Sequence, residues 1–524
     1  MGRQALCFCV GNQGAVGAPR HSRKFEASLL PEYLAFGYTS EERTLYSGIR
    51  TLMPGHWLEL DVSGLEPRLN IQRYWDPPQP GSIEYGSDEE WIRECRRRLE
   101  ETVHMRLMSD VPLGMFLSGG VDSSAIAAMV ARMNPGTLNT FSVGYAEAAY
   151  SELPWAAQAA KAIGAEHREV QVSRQEFFEV LPRLIWHEDE PITWPSSVSL
   201  YFVSRLAAQH VKVVLTGEGS DELFGGYHRY QTYLLNHKAM QAYRFVPGFL
   251  RSFIRDRIAD SSLLSATMRR KLGHTVLGRE GTYASLYVEN FLSAFTRAEQ
   301  ASLLRRDNNG SVLDNYLKYW NASEPGRSPL ARLLYTDQKT YLVELLMKQD
   351  QMSMACSIES RVPFLDHEFV EFAANIPDRL KIRDGSGKWI FKKAVEDLLP
   401  HDITYRRKMG FPTPLRKWLL DAQTQPMLDR MVADGSFCCE YLERSAITRL
   451  LDRHRRGVED GTDRIWRLLN LELWGSQCFA GGESRLTYPR GVEDLLKLLR
   501  HAVPGIAVRN HLPRLARESL TLPG

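Results

Sequence analysis

The sequence has little net charge and no long uninterrupted apolar segment. In its 524 residues, 65 Lys and Arg face 63 Asp and Glu, so the formal charge is only +2. That balance by itself argues neither for nor against a nucleic-acid partner. No stretch approaches 18 consecutive apolar residues, so we expect no membrane span. With 44% hydrophobic and 24% charged residues, the composition is typical of a globular protein of two or three domains.

Cysteine is also scarce. The seven cysteines are an odd number and do not form the pattern of a disulfide framework. No two of them are spaced as Cys-x-x-Cys, so we expect no structural zinc site. The N-terminus lacks a signal-peptide core followed by a cleavage site. These absences favour a reduced, cytoplasmic protein.

Strands and helices alternate through the first half of the chain. Predicted strands cover 56–62, 111–118, 137–145, 166–173 and 211–217, and predicted helices cover 87–110, 123–133, 151–164 and 199–210. This alternation predicts an α/β fold, a parallel sheet with helices on both faces. A small β-rich part precedes it, and the chain becomes mostly helical after about residue 235.

One loop between a predicted strand and a predicted helix carries the first sign of chemistry. Residues 113–130 read LGMFLSGGVDSSAIAAMV. Ligands of open α/β sheets bind at the carboxyl ends of strands, where such a loop lies. Its glycines, hydroxyls and helix N-terminus suit a phosphate group, although it has neither the Walker A nor the Gly-x-Gly-x-x-Gly pattern. Asp122 would repel phosphate unless a cation such as Mg²⁺ bridged the two.

Three further motifs follow in the chain. They are VVLTGEGSDELFGGYHRY (213–230), DQMSMACSIESRVPFLDHEFVEFAANIP (350–377) and YRRKMGFPTPLRKWL (405–419). SGGVDSS resembles the pyrophosphate loop of the N-type ATP pyrophosphatases, which have the adenine nucleotide alpha hydrolase-like fold. The four motifs, in this order, resemble the synthetase domain of glutamine-dependent asparagine synthetases, over about residues 30 to 480.

The resemblance implies a nucleotide site with magnesium. It assigns the pyrophosphate to Ser118, Gly119, Gly120, Ser123 and Ser124, the magnesium to Asp122 and Asp221, and the AMP portion to Leu117, Val143, Thr216 and Gly217. By composition alone, Leu117 and Val143 would be interpreted as strand core. The implied cofactors are ATP and Mg²⁺.

Other charged residues gain implied roles in catalysis or substrate binding. Glu218 would accept a proton from the attacking ammonia, and Lys408 would offset charge near the α phosphate. Glu222 would orient the amino group of the acceptor, although both glutamates could simply cap a helix. Asp189, next to Glu188, lies where the family builds its acceptor pocket.

Glu359 and Arg361 are expected to form a structural pair that supports this site rather than to act on substrate.

The implied reaction is adenylation of the aspartate side-chain carboxylate, followed by attack of ammonia to give asparagine, AMP and pyrophosphate. Two alternatives stay open: another amide-forming ligase of the family acting on a different carboxylate, of the β-lactam synthetase or polysaccharide- or peptide-modifying kind, and a non-catalytic nucleotide-binding remnant. We expect small-molecule substrates, a homodimer or an ammonia-supplying partner, and neither nucleic acid nor membrane.

The N-terminus departs from the family pattern. Gly2 stands where the family's glutaminase domain has its nucleophilic cysteine, and only 30–61 resembles the exit from that domain. Cys7 and Cys9 cannot replace that cysteine, because neither carries a free α-amino group. Either ammonia comes from elsewhere, or the start of the reading frame is misassigned. The predicted domains are a glutaminase remnant (1–76), a linker (77–90), a synthetase domain (91–480) and a tail with a helix (481–524).

Overall fold

A parallel five-stranded sheet organises the fold. Its strands are β3 (Leu113–Phe116), β4 (Asn139–Gly144), β5 (Glu166–Gln171), β6 (Val213–Leu215) and β7 (Glu359–Arg361), in the spatial order β5-β4-β3-β6-β7. Met115 pairs with Thr140 on one side and with Leu215 on the other, which places β3 at the centre. The chain therefore moves outward from β3 in both directions, and the strand order reverses between β3 and β6. Such a switch point is where open α/β sheets bind ligands.

The computed structural model describes residues 24–61, 63, 68–78, 81, 85–134, 136–261, 263–306, 312–322, 327–410 and 412–479. The described residues up to Phe479 belong to one compact unit, and 480–524 form a second unit outside the described residues. The segment that contains Cys7 and Cys9 lies outside the described residues, and so does the helix predicted within 481–524. The predicted domain boundaries stay a prediction.

Helices cover both faces of the sheet, as predicted. The α-helices are Leu30–Phe36, Asp88–Met105, Val121–Met133, Leu153–Ile163, Arg174–Glu179, Leu181–Glu188, Ser196–Ala207, Ser220–Phe224, His228–Tyr243, Gly248–Asp260, Ala266–Gly273, Arg297–Leu303, Asp314–Ala322, Pro329–Lys339, Tyr341–Met354, His367–Asn375, Asp378–Lys381, Trp389–Ala394, His401–Thr404, Leu415–Leu419, Gln425–Asp429, Phe437–Tyr441, Arg444–Arg455 and Thr462–Cys478. A π-helix covers Ala284–Leu292, and 3₁₀ turns cover Ala27–Leu29, Ala148–Tyr150, Pro363–Leu365, Ala422–Thr424 and Arg430–Val432.

The two faces carry separate hydrophobic cores. Met115 and Leu215 pack into one core with the alanine-rich helix Val121–Met133. Phe141 and Val214 pack into the other with helices from the C-terminal half. Side chains of a strand alternate between faces, so adjacent Val214 and Leu215 enter different cores. The predicted α/β class is confirmed.

Local signals explain where the helices beside the site begin. Ser87 and Glu90 form a capping box at the start of Asp88–Met105, at the predicted position. Helix Val121–Met133 begins directly after two glycines, two residues earlier than predicted. Strand β7 was not predicted as a strand, because three residues are too few to show a period.

The N-terminal part contains both strands and helices, which agrees with the β-rich or mixed part expected there. Strands β1 (His56–Asp61) and β2 (Arg68–Arg73) pair antiparallel, which confirms the strand predicted at 56–62. Helix Leu30–Phe36 is entirely buried, and the Tyr33 hydroxyl donates to the backbone oxygen of Arg467. Two more strands, β8 (Ile382–Arg383) and β9 (Ser386–Gly387), form a short hairpin. Among the described helices, none has the length and apolarity needed to cross a membrane.

Candidate active site

A cavity of about 830 Å³ opens at the carboxyl ends of β3, β4 and β6, at the switch point of the sheet. Most of the residues singled out from the sequence line it: Leu117, Ser118, Gly120, Asp122, Ser123, Val143, Thr216, Gly217, Glu218, Asp221 and Lys408. The topology thus brings together side chains that are almost 300 positions apart in the chain. Four of the site residues singled out from the sequence are not part of this lining: Gly119, Ser124, Glu222 and Asp189.

The 118–124 loop is held in shape by its own hydroxyls. The amide of Gly120 donates to Ser118 Oγ at 3.3 Å, and the amide of Ser118 donates to Ser123 Oγ at 3.2 Å. Gly119 has φ +70°, and a Cβ on it would lie 2.4 Å from the carbonyl carbon of Trp155. No described side chain caps the helix that starts after Gly120. The N-terminus of a 13-residue helix is therefore open toward the cavity and suits an anion.

The second motif loop touches the first. A Cβ on Gly217 would lie 2.8 Å from the amide nitrogen of Ser123 and 3.0 Å from Asp122 Cβ. The amide of Thr216 donates to the backbone oxygen of Arg361 at 2.9 Å, which ties this loop to β7. The hydroxyl of Thr216 is buried and bonds to no described residue, so it is available to a ligand.

Two carboxylates and two lysines form what we call the paired-charge wall: Asp122, Asp221, Lys388 and Lys408. The Lys388 ammonium lies 2.7 Å from Asp122 Oδ2 and 2.8 Å from Asp221 Oδ1. Lys408 contacts the other oxygen of Asp221. Ser220 Oγ donates to Asp122 Oδ1 at 2.6 Å. The wall is thus a chain of alternating charges in the order Asp122, Lys388, Asp221 and Lys408.

The ion pairs of this wall shift the pKa values of Asp221 and Lys408. Burial opposes the charge of Asp221, but Lys388 and Lys408 together hold its pKa well below the ordinary value. Burial likewise opposes the charge of Lys408, and Asp221 and Asp122 outweigh it, so the pKa of Lys408 is raised. Asp221 and Lys408 are therefore both ionised at neutral pH.

Lys388 was missed from the sequence, and its backbone explains its position. It has φ +58° at the start of helix Trp389–Ala394, and its amide donates to the backbone oxygen of Phe224 at 3.0 Å. A Cβ on Gly226 would lie 2.1 Å from Lys388 Cε, so only glycine leaves room for the lysine there. The run Gly385-Ser386-Gly387-Lys388 before a helix is the signal that could have indicated it.

The carboxylate pair fits one divalent cation shared with phosphate. No group of three metal-ligating side chains occurs among the described residues. Asp122 and Asp221 nevertheless converge on one cationic nitrogen. Mg²⁺ is commonly held by one or two carboxylates together with substrate phosphates. The donor set therefore suits a metal that arrives with a nucleotide.

Glu218 and Glu222 occupy different environments. Glu218 lines the cavity, whereas Glu222 is buried and accepts a hydrogen bond of 2.5 Å from the Tyr227 hydroxyl. Burial, then the charge of Asp221, raises the pKa of Glu222 to about 7. Tyr227 itself lines the cavity, with its ring 4.7 Å from the Lys408 ammonium. Glu222 is therefore connected to the cavity lining through its hydrogen bond with Tyr227.

A second wall contains acids that are buried behind the lining; we call Glu188, Glu344 and Lys348 the buried-acid wall. Lys348 lines the cavity with only 6% of its surface exposed. Burial raises the pKa of Glu344 to about 8 and that of Glu188 well above its ordinary value. Glu344 accepts from Thr193 Oγ1 at 2.7 Å. These glutamates favour the neutral form at pH 7.

Asp189 lies away from the cavity. It follows helix Leu181–Glu188 with φ +62°, and its backbone oxygen accepts from Trp474 Nε1 at 3.1 Å. Glu188, the last residue of this helix, is buried. The structure therefore does not bring Asp189 together with the other proposed site residues.

Supporting pairs hold the motif loops from behind. Arg361 pairs with Glu359 at 2.7 Å, and its guanidinium also donates to the backbone oxygens of Arg106 and Met108, which agrees with the structural role expected of the pair. Arg406, which the sequence did not single out, pairs with Glu152.

Comparison with known proteins matches this chain to one family. The family model described as asparagine synthase matches residues 94–476. Asparagine synthetase [glutamine-hydrolyzing] 1 of Bacillus subtilis is 30% identical over 456 residues, which cover 86% of this chain and 69% of the relative. A putative asparagine synthetase [glutamine-hydrolyzing] of Mycobacterium tuberculosis is 36% identical over 456 residues, covering 85% and 66%. The chain thus spans about two thirds of the length of these curated relatives. The amidase chyE of Penicillium rubens is 27% identical over 422 residues, covering 72% and 60%.

Proposed function

The chain belongs to the asparagine synthase family, and we propose that it uses ATP to convert aspartate and ammonia into asparagine, AMP and pyrophosphate. The observation that supports this most is the meeting of the 118–124 loop with the paired-charge wall at the switch point of the sheet. A loop for phosphates, two carboxylates and two lysines on one wall suit the splitting of a nucleoside triphosphate.

In the first half-reaction, an oxygen of the aspartate side chain attacks the α phosphorus, and pyrophosphate leaves with the electron pair. Amides of the 118–124 loop would hold the leaving pyrophosphate, and Lys388 and Lys408 would offset its charge. Asp122 and Asp221 would hold Mg²⁺, which when bound neutralises phosphate charge. Leu117 and Val143 would contact the AMP portion.

Aspartate presents two carboxylates and one ammonium group, and the walls offer a partner for each kind of charge. Lys348, nearly buried at the cavity surface, would hold the α-carboxylate. Glu222 with Tyr227 would orient the amino group. The side-chain carboxylate is then left free to meet the α phosphate.

In the second half-reaction, ammonia attacks the activated acyl carbon and AMP leaves. The nitrogen must lose a proton as the carbon–nitrogen bond forms. Glu218 is the carboxylate at the cavity surface that would accept it.

An isotope-exchange assay tests the proposal. The purified chain is expected to exchange labelled pyrophosphate into ATP when aspartate and Mg²⁺ are present, and to produce AMP and asparagine when ammonium is added. Exchange with another carboxylic acid instead of aspartate would assign the chain to a different ligase of the family. No exchange and no AMP above background with any acid would leave only nucleotide binding.

Glu218→Gln separates the two half-reactions. Because Glu218 would act only after adenylation, aspartate-dependent exchange should persist while amide formation falls about 10²- to 10⁴-fold. Glu440→Gln, a change of the same kind at an exposed glutamate, should alter neither activity. Loss of exchange in the Glu218 variant would contradict the proton-acceptor role.

A further inference from the structure

Seven large, exposed apolar side chains occur within one short segment of the chain, residues 235–268. Phe249 is 78% exposed and Leu263 is 96% exposed; the others are Leu235, Phe245, Leu250, Phe253 and Met268. In helix Gly248–Asp260, no side chain that the structure describes is buried. Large exposed apolar groups grouped in this way mark an interaction surface.

The same surface is strongly basic. Between residues 244 and 271 the sequence has seven Arg and Lys against two Asp, whereas the whole chain has a charge of only +2. Arg244, Arg257, Arg270 and Lys271 are exposed, and none of them forms an ion pair with a described residue. We call residues 244–271 the basic aromatic surface.

The geometry of the first helix combines both features on one side. Phe249, Phe253 and Arg257 follow one another at intervals of four, so they share a face. The Arg257 guanidinium lies 5.3 Å from the ring of Phe253. Arg244 lies 5.1 Å from the ring of Phe245 in the turn before the helix. An exposed helix that carries both phenylalanines and cations can lie on an anionic membrane, with its rings in the interface and its cations at the headgroups.

Three partners are candidates for this surface: a second copy of the chain, residues 480–524 and an anionic lipid bilayer. Charge complementarity distinguishes between them. A second copy would bring an equally positive surface. Residues 480–524 carry seven Arg and Lys against four Asp and Glu, so they are also positive. We propose that the basic aromatic surface docks on an anionic lipid bilayer, with its phenylalanines in the interface and its cations on the headgroups. The expectation that the protein has no membrane partner rested on the absence of a long apolar run, which excludes a membrane span but not peripheral docking.

A single helix connects this surface with the candidate active site. Helix His228–Tyr243 begins at His228, which lines the cavity, and ends directly before Arg244. Its 16 residues span roughly 24 Å at the usual rise per residue. This helix therefore gives a direct structural connection between the cavity lining at His228 and the basic aromatic surface.

Vesicle flotation with the full chain tests the proposal. The chain should bind vesicles of phosphatidylcholine mixed with phosphatidylglycerol, bind phosphatidylcholine alone far less, and release at high salt. The double variant Phe249→Ser with Phe253→Ser should bind at least about tenfold more weakly. Arg257→Gln and Lys271→Gln should each weaken binding about fivefold.

Matched variants elsewhere provide controls. Val458→Ser removes a side chain that is 55% exposed, and Arg456→Gln removes an exposed cation; both should bind vesicles like the unaltered chain. Absence of binding to the mixed vesicles at low salt, or undiminished binding by the double variant, would overturn the proposal. Binding to polyglutamate but not to vesicles would assign the surface to an acidic protein. A change of oligomeric state in the double variant, without vesicle binding, would assign it to a second copy.

Discussion

Asp221 and Glu222 are neighbours in the chain and both are buried, yet their acidities shift in opposite directions. Lys388 and Lys408 overcome the effect of burial at Asp221 and hold its pKa well below the ordinary value. Glu222 meets a tyrosine hydroxyl instead, and burial raises its pKa to about 7. An ammonium group within reach therefore decides whether a buried carboxyl is charged.

The same contrast separates the two walls of the cavity. On the paired-charge wall, acids and lysines alternate, and Asp221 and Lys408 stay ionised. On the buried-acid wall, Glu344 keeps its proton up to a pH of about 8. The first wall is suited to charged phosphates and the second to an acceptor that is largely removed from water.

The largest expected effect comes from breaking the paired-charge wall. Lys388→Met removes the ammonium that joins Asp122 to Asp221, so a buried carboxylate and a partly buried one lose their shared counter-charge. We expect pyrophosphate exchange to fall about 10²- to 10³-fold, the usual cost of losing one electrostatic contact in a site.

Lys393→Met is the control for this variant, because Lys393 lies on the same helix but pairs with Glu396 at the surface. It should retain exchange. Equal losses in both variants, or full exchange in the Lys388 variant, would show that pyrophosphate exchange does not depend on the shared ammonium.

A smaller effect should follow from moving the 118–124 loop while leaving its charges in place. Gly119→Ala forces a Cβ against the Trp155 carbonyl, and we expect kcat/KM for ATP to fall up to about 10²-fold, as for a displaced catalytic group. Gly164→Ala has the same left-handed backbone, φ +69°, but open space around it. It should cost only about 1–2 kcal/mol of stability. Similar kinetics in the two variants would contradict the steric argument.

The smallest expected effect is the pH dependence of stability that Glu344 of the buried-acid wall causes. Glu344 has an ordinary pKa of 4.5 that is raised to about 8 in the folded protein. Between these values the unfolded chain has released a proton that the folded chain keeps, so its contribution to stability falls as pH rises, by about 1.4 kcal/mol per unit. Glu344→Gln should therefore make the decrease in the free energy of unfolding between pH 6 and pH 7, measured in urea, smaller than in the unaltered chain. An unchanged slope would show that Glu344 is ionised when folded.

Much of the part of the site that we propose binds the nucleotide could be predicted from the sequence. The glycines, hydroxyls and acids of the 118–124 and 216–222 loops are local signals, each placed directly after a predicted strand. Lys388 was harder to predict because it lies 266 positions along the chain from Asp122, which it contacts. Asp189 was placed by proximity to a motif, and the helix end beside it turns Glu188 inward instead.

Two kinds of information are thus separate in this protein. The sequence by itself determined the α/β class, the family and the place of the proposed phosphate loop, because periodicity and local motifs are properties of neighbouring residues. Only the tertiary structure decided which charges meet, which acids keep their protons and which phenylalanines remain exposed. Those outcomes depend on burial and on contacts between distant segments, and a sequence pattern contains neither.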